Sequence, residues 1–278
     1  MQMNRLQIAI QGIRGSNHHK VASDYFGEDI DMVECLSFHS LVDSLLEGKA
    51  DKGVMAIENS IAGSIIPNYA LVCENGLHII GEYYLHIHHN LMALPGQGIG
   101  DLREVRSHPM ALLQCREYLK TQPHIKMVED VDTAETARRI HEEKLKGVAA
   151  IAPGIAADLY GLEVIEKEIQ TIKNNATRFI VVKTQNKELP REEINKASIR
   201  FITDHKRGSL ATVLNVMSDC NLNLTKIQSL PVIETPWKYS FFVDVTFEDY
   251  EHFAKAKSLI SIMTEDFQLL GEYKNARI

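Results

Sequence analysis

The segment Asn174–Phe179, NNATRF, sets a hydroxyl and a guanidinium, Thr177 and Arg178, directly ahead of the apolar run IVVKT. A short apolar run rich in β-branched residues predicts a buried strand. At the mouth of that strand Thr177 offers a hydrogen-bond donor, and Arg178 a permanent cation with a planar fork of donors. Three readings are open. The segment is a turn with an arginine at a sheet edge, or a glycosylation sequon at Asn175-Ala176-Thr177, which matters only in a secreted chain, or the opening of a binding cleft. Similar placements recur elsewhere. AIENSIAG follows the run Val54–Ile57 with Glu58, Asn59, Ser60 and Gly63. RSHPMALLQC leaves a short strand with Ser107 and His108, and Pro109 then opens a helix whose free N–H groups and dipole suit an anion. Gln114 lies seven residues after Ser107, about two helical turns, and can reach the same face. DVDTAETA begins another helix with Thr133 in its first turn.

Each segment also has a bland reading. Ser-His-Pro is an ordinary helix start, Asp132 with Glu135 spells a capping box, and ENS alone is a turn. HIHHN puts His86 and His88 on one strand face, but no further ligand spacing accompanies them, and no metal site is expected. QGIRGS lacks the glycine spacing and lysine of a phosphate loop. Their joint position beyond strand ends, where open α/β folds place ligands, is the stronger signal.

The elements that must position these groups follow from periodicity. LQIAIQG, MVECLSF and KGVMAIENS read as strands alternating with helices in SNHHKVASDYFG and HSLVDSLLEGKA, which predicts βαβ units on a largely parallel sheet. A helix in PNYALVCENG precedes LHIIGEYYLHIHHNLMAL, an extended stretch long enough to pass from one sheet into a second. The pattern then repeats: strands in EVRSH, IKMVEDV and VAAIAP, helices in PMALLQCREYLK, DTAETARRIHEEKLKG and GIAADLYG, and TRFIVVKT closing the series. Two α/β lobes joined by extended crossovers are expected, approximately residues 1–80 with 162–185 and residues 81–161. QNKELPREEINK reads as a charged linker. Residues 198–278 then give β-α-β-β-α-β, the ferredoxin-like order.

The chain has 278 residues, 45% hydrophobic and 24% charged, which suits about two soluble globular domains. A formal net charge of -7 argues against nucleic-acid binding, and no apolar run approaches a membrane span. The N-terminus MQMNRLQIAIQG lacks the apolar length of a signal peptide, and Cys35, Cys73, Cys115 and Cys220 form neither a C-x-x-C nor a disulfide pattern. A cytoplasmic location is expected, and it removes the sequon reading.

Taken in order, ENSIAG, SHPMALLQC, DTAETA, AAIAPGIAADLYGL and NNATRF resemble prephenate dehydratase in both residues and spacing. The distal module, with GSL and NLNLTKIQSLP, resembles the ACT regulatory domain that follows it in that family. The resemblance implies a catalytic part folded like type 2 periplasmic binding proteins, loss of CO2 and water from prephenate to give phenylpyruvate, and feedback inhibition by phenylalanine held between paired ACT modules. Aromatisation supplies the driving force, so no cofactor is implied. The catalytic residues implied are Thr177, Arg178, Glu58, Asn59, Ser107 and Gln114, with Ser60, Gly63, His108, Thr133 and Phe179 contacting substrate. Thr177 would donate to the leaving hydroxyl and Arg178 would engage a carboxylate. Gly208, Ser209, Leu210, Ala211, Asn223, Leu224 and Ser229 would hold phenylalanine, in a homodimer or homotetramer. Arogenate dehydratase, or an amino-acid sensor without turnover, are the competing readings. The chain departs from the family at GIRGSNHH, where a Gly-Pro-x-Gly-Thr-Tyr-Ser loop is usual, at Met110, at Gln170 where an Asp is common, and at Gln228-Ser229-Leu230-Pro231 in place of Glu-Ser-Arg-Pro.

Overall fold

The computed structural model describes residues 5–185, 189–204, 206–232 and 235–277. In chain order the first elements are β1 (Leu6–Gln11), α1 (Asn17–Phe26), β2 (Ile30–Cys35), α2 (Phe38–Leu46), β3 (Lys52–Asn59), β4 (Gly63–Ser64), α3 (Ile66–Glu74) and β5 (His78–His86). Then come β6 (Asn90–Ala93), β7 (Glu104–Ser107), α4 (Pro109–Gln114), α5 (Arg116–Lys120), β8 (Lys126–Glu129), α6 (Thr133–Glu142), β9 (Val148–Ala152), α7 (Gly154–Tyr160), β10 (Glu163–Glu166) and β11 (Ala176–Lys183). The chain ends with β12 (Lys196–Ile202), α8 (Ser209–Asp219), β13 (Asn223–Pro231), β14 (Tyr239–Thr246), α9 (Tyr250–Met263) and β15 (Glu265–Tyr273).

Three sheets result, with strand orders β2-β1-β3-β11-β5, β10-β6-β9-β7-β8 and β13-β14-β12-β15. In the first, β2 and β3 run parallel to β1, as the alternation of strand and helix requires. The second is built around β9, whose five residues, VAAIA, are all buried between two apolar layers. Ala150 and Ala152 let α6 and α7 approach closely, while Ala149 and Ile151 face the other side with Leu91, Val105 and Leu112. Ser16 caps α1 by accepting from His19 N, and Ser37 and Ser40 form a reciprocal box at the start of α2.

The structure departs from expectation in three places. PMALLQCREYLK is two short helices, because Cys115, fully buried in the second core, takes φ -100° and ψ 6° and tightens the turn between them. Residues 163–166, for which no strand was expected, form β10 beside β6, although the expected lobe boundary at 162 puts them with the first sheet. Part of the expected linker, residues 186–188, lies outside the described residues. Its last residue, Lys196, is instead a buried strand position.

Contacts divide the chain into two compact units, residues 1–63 with 85–179 and residues 64–84 with 180–278. In the second unit the β-α-β-β-α-β module packs α8 and α9 on one sheet face, around Phe201, Val243 and Phe253. Residues from 64–84 cover the other face, where Tyr69 meets Phe242 edge-on at 5.4 Å. Lys196 Nζ reaches both Glu82 oxygens, at 2.9 and 2.8 Å, with side chains 2% and 0% exposed. Gly271 lies so close to Ile79 that a side chain there would strike its carbonyl.

Candidate active site

In the first unit the C-terminal end of β3 lies beside the N-terminal end of β11, where Ser60 N donates to Ala176 O at 2.8 Å and Ser60 Oγ accepts from Ala176 N at 3.0 Å. That register brings Asn59 to Thr177. Asn59 Nδ2 donates to Thr177 Oγ1 at 2.9 Å and to Asn175 Oδ1 at 2.7 Å, with Ala176 O at 3.3 Å. Asn59 Oδ1 accepts from the amides of Ile61 and Ala62, at 3.0 and 2.9 Å, which fixes the turn that follows. Asn175 Nδ2 donates to Gln114 Oε1 at 3.0 Å, and His89 Nε2 lies 2.8 Å from the same oxygen. A chain of amides therefore runs from Thr177 through Asn59 and Asn175 to Gln114. Gln114 is delivered by α4, and the bend at Cys115 leaves it as the last residue of that helix.

Chemically this arrangement readies a hydroxyl. A threonine oxygen that accepts from an amide has one lone pair occupied, and its own proton is then free to turn toward another acceptor. Asn59 cannot take a proton, so the pair is a hydrogen-bond donor assembly, not a nucleophile with its base.

The other expected residues divide. Gln114, Asn59 and Thr177 come together, and Ser60 is adjacent. Ser107 does not join them: it is 0% exposed and donates to Ile151 O at 2.6 Å, tying β7 to β9. Phe179 is a core residue, 1% exposed and edge-on to His18 at 5.0 Å. Side chains alternate along a strand, so Thr177 and Phe179 share one face of β11 and Arg178 takes the other, 5% exposed. The expected roles, Thr177 toward the leaving hydroxyl and Arg178 toward a carboxylate, therefore fall on opposite faces of the strand. Glu58 is half-buried, and Gly63 is exposed with φ +84°, a turn value glycine adopts without strain. His108 is exposed and caps α4, its Nδ1 accepting from Met110 N at 3.2 Å. Thr133 opens α6 behind Asp132, whose Oδ1 accepts from Ala134 N and Glu135 N at 2.8 and 3.0 Å. Glu135 turns to Arg138 instead of completing a box.

Asn175, the hub of this chain, and His89 are not among the expected residues. Asn175 lay inside the NNATRF motif, but an asparagine before a strand reads as turn material. His89 stood next to His86 and His88, whose strand spacing drew the metal question. His88 instead pairs with Glu168 at 3.4 Å, and among the described residues no group of three or more His, Cys, Asp or Glu is placed for a metal. Among the described residues, too, no helix is long and apolar enough to cross a membrane.

Near this site, His18 sits between Phe38 and Phe179, and burial pushes its pKa down to about 3. As a neutral ring it accepts from Ala56 N at 3.3 Å.

In the second unit Gly208, with φ +86°, caps α8. Gly208, Ser209, Leu210 and Ala211 line a cavity of about 630 Å3 together with Asp204 and Tyr239. Ser229 pairs with Phe241 at the same end of the sheet. Asn223 and Leu224 pair with Thr246 and Val245 at the other end of β13, and Asn223 lines a different cavity.

Residues 8–187 match the sequence profile of the family described as Prephenate dehydratase. The chain belongs to the prephenate dehydratase family. It is 31% identical over 276 residues to a bifunctional chorismate mutase/prephenate dehydratase of Enterobacter agglomerans, covering 98% of this chain and 71% of that one. It is 35% identical over 250 residues to arogenate dehydratase/prephenate dehydratase 2 of Arabidopsis thaliana, covering 87% of this chain and 65% of that protein, just under two thirds of its length. Among solved structures, one named GqqA, a novel type of quorum quenching acylase, is 26% identical with a TM-score of 0.87, covering 98% of each chain. The prephenate dehydratase of Arthrobacter aurescens in complex with L-Phe superposes with a TM-score of 0.86 at 24% identity, covering 98% of this chain and 90% of that one, a likeness of fold.

Proposed function

We propose that this chain converts prephenate to phenylpyruvate, and that residues 198–278 form an ACT domain through which phenylalanine inhibits it. The observation that carries the catalytic reading is the 2.9 Å hydrogen bond from Asn59 to Thr177. In prephenate the bond from the ring to its carboxylate breaks, and its electron pair becomes part of the aromatic ring. The ring hydroxyl leaves from the opposite carbon and takes up one proton to depart as water. Prephenate dianion plus a proton thus gives phenylpyruvate anion, CO2 and water. Thr177 supplies the hydrogen bond to the departing oxygen, and the Asn59–Asn175–Gln114 chain holds its lone pair so that the donor points outward. Arg178 is buried on the other face of β11 from Thr177.

The acylase named among the related structures suggests a different reaction, acyl transfer, which through Thr177 would need a base beside its hydroxyl. The partner of Thr177 here is an amide donor, and that favours the dehydratase.

For regulation, the cavity at Gly208–Ala211 and the N-terminal end of α8 suit the charged ends of an amino acid. Asn223 is eight residues from Pro231 along β13, about 26 Å at the usual rise. One chain therefore cannot bring Asn223 and Gly208 to a single ligand. Two modules pairing side by side through the open edge of β13 would, and a dimer is the least assembly that satisfies this reading.

The test follows product absorbance with the purified chain given prephenate and, separately, arogenate, which carries an amino group in place of the side-chain keto group. Turnover of prephenate with inhibition by phenylalanine supports the proposal, and turnover of arogenate alone reassigns the substrate. Turnover of neither leaves a sensor. Calorimetry that detects no heat with phenylalanine would reject the ACT reading.

A further inference from the structure

We propose that His89 is a positioning residue for the dehydration, its Nε2–H tautomer closing the amide chain that ends at Thr177 and holding the polarity that the Ile61 and Ala62 amides impose at the other end. The proposal rests on the catalytic reading above and assigns a role to a side chain outside the residues named for it.

The polarity follows step by step from a fixed point. The amides of Ile61 and Ala62 can only donate, so the Asn59 atom they meet must be oxygen. Asn59 therefore faces Asn175 and Thr177 with its NH2 group. Asn175 must then answer with oxygen, 2.7 Å away, and turn its own NH2 to Gln114 at 3.0 Å. Gln114 must accept with Oε1. His89 Nε2, 2.8 Å from that oxygen, is left with one compatible role, that of donor. Reversing the tautomer would set two acceptors face to face or flip the amides in series. In the flipped chain Thr177 would spend its proton on Asn59.

His89 is built to keep this orientation. It is 6% exposed, its backbone N–H donates to Gln170 Oε1 at 2.9 Å, and its carbonyl accepts from Ile169 N at 2.8 Å. Nδ1 is buried without a hydrogen-bond partner, as suits a bare lone pair, since an N–H there would be an unmet buried donor. Burial also lowers the pKa of the ring, which keeps Nδ1 unprotonated. The amide oxygen of Gln170 performs the holding without adding a charge.

The experiment has two arms on the full-length chain. The first compares H89L with H89Q, whose amide nitrogen can occupy the place of Nε2. In H89L kcat for prephenate should fall about tenfold, the equivalent of one lost neutral hydrogen bond, with KM little changed. H89Q should recover most of that loss. A side chain that only packs would respond the other way, with apolar H89L retaining activity and polar H89Q harmed. Equal losses in the two folded variants, or full kcat in H89L, overturn the proposal. The second arm needs no variant: nitrogen NMR of the histidine-labelled wild type should show His89 protonated at Nε2 and bare at Nδ1 near neutral pH. The opposite tautomer, or a doubly protonated ring, overturns it even where H89L fails to fold. A wild type that turns over neither prephenate nor arogenate sinks the catalytic reading, while the NMR arm still decides the tautomer.

Discussion

Replacing Thr177 by valine keeps the branched shape and removes the hydroxyl, at a position 8% exposed on the face of β11 turned to Asn59. Two costs can be separated. For folding, Asn59 Nδ2 loses one acceptor but keeps Asn175 Oδ1 at 2.7 Å and Ala176 O at 3.3 Å, so no donor is stranded. The stability change should be about 1 kcal/mol, which in a chain of this size moves Tm by a few degrees. For catalysis, the proposed donor to the departing oxygen is gone. Removing one donor of that kind costs about 2.7–4 kcal/mol, or roughly 100- to 1,000-fold in kcat. The contact forms fully only as the C–O bond breaks, so KM should change little. The assay is steady-state phenylpyruvate formation by T177V, with T177S as the control that restores the hydroxyl and most of the rate. A near-normal kcat in T177V, or a loss that tracks Tm, would refute the assignment of Thr177 as the donor.

Three further outcomes are expected. Arg178→Lys replaces a planar guanidinium by an ammonium in a buried site and should lower stability by about 1–3 kcal/mol while leaving KM for prephenate unchanged; a raised KM at unchanged Tm would return Arg178 to the substrate. Lys196→Met removes the cation from a fully buried Glu82 and should cost about 3–5 kcal/mol in denaturant unfolding, with the double variant K196M/E82Q recovering a good part; a loss below about 1 kcal/mol from K196M alone would show that the pair is not what fixes β12. His18 carries a folded-state pKa of about 3 against an ordinary 6.5, so the unfolded chain takes the proton first. Its stabilisation is intact above about pH 6.5 and is lost at about 1.4 kcal/mol per pH unit as pH falls toward 3. His18→Gln keeps an acceptor for Ala56 N without titrating, and should flatten that limb of a Tm-against-pH curve; an unchanged slope would place the acid sensitivity elsewhere.

The order of the elements is legible in the amino-acid sequence. Strand alternation and helical spacing are local properties, written in neighbouring residues. They marked β1 to β3, the repeated strand-helix pattern of the second sheet and the β-α-β-β-α-β module before any contact was known. Motifs whose residues lie close in the chain were legible for the same reason, so Asn59, Gln114 and Thr177 were named at the outset. Which polar groups meet, and which way they face, depends on the folded chain. Asn59 and Asn175 are 116 residues apart, and nothing near either one distinguishes a hub from a turn asparagine. Arg178 follows Thr177 in the chain, but the pleat of β11 sends it to the opposite face. Ser107 looked like a free hydroxyl until the pairing of β7 with β9 placed Ile151 O within 2.6 Å. Lys196, at the end of a charged stretch, read as solvated linker. It is buried because Glu82, 114 residues earlier, supplies the opposite charge. A lone charge is excluded from a core and a paired one is not, and pairing across that separation exists only once the chain has folded.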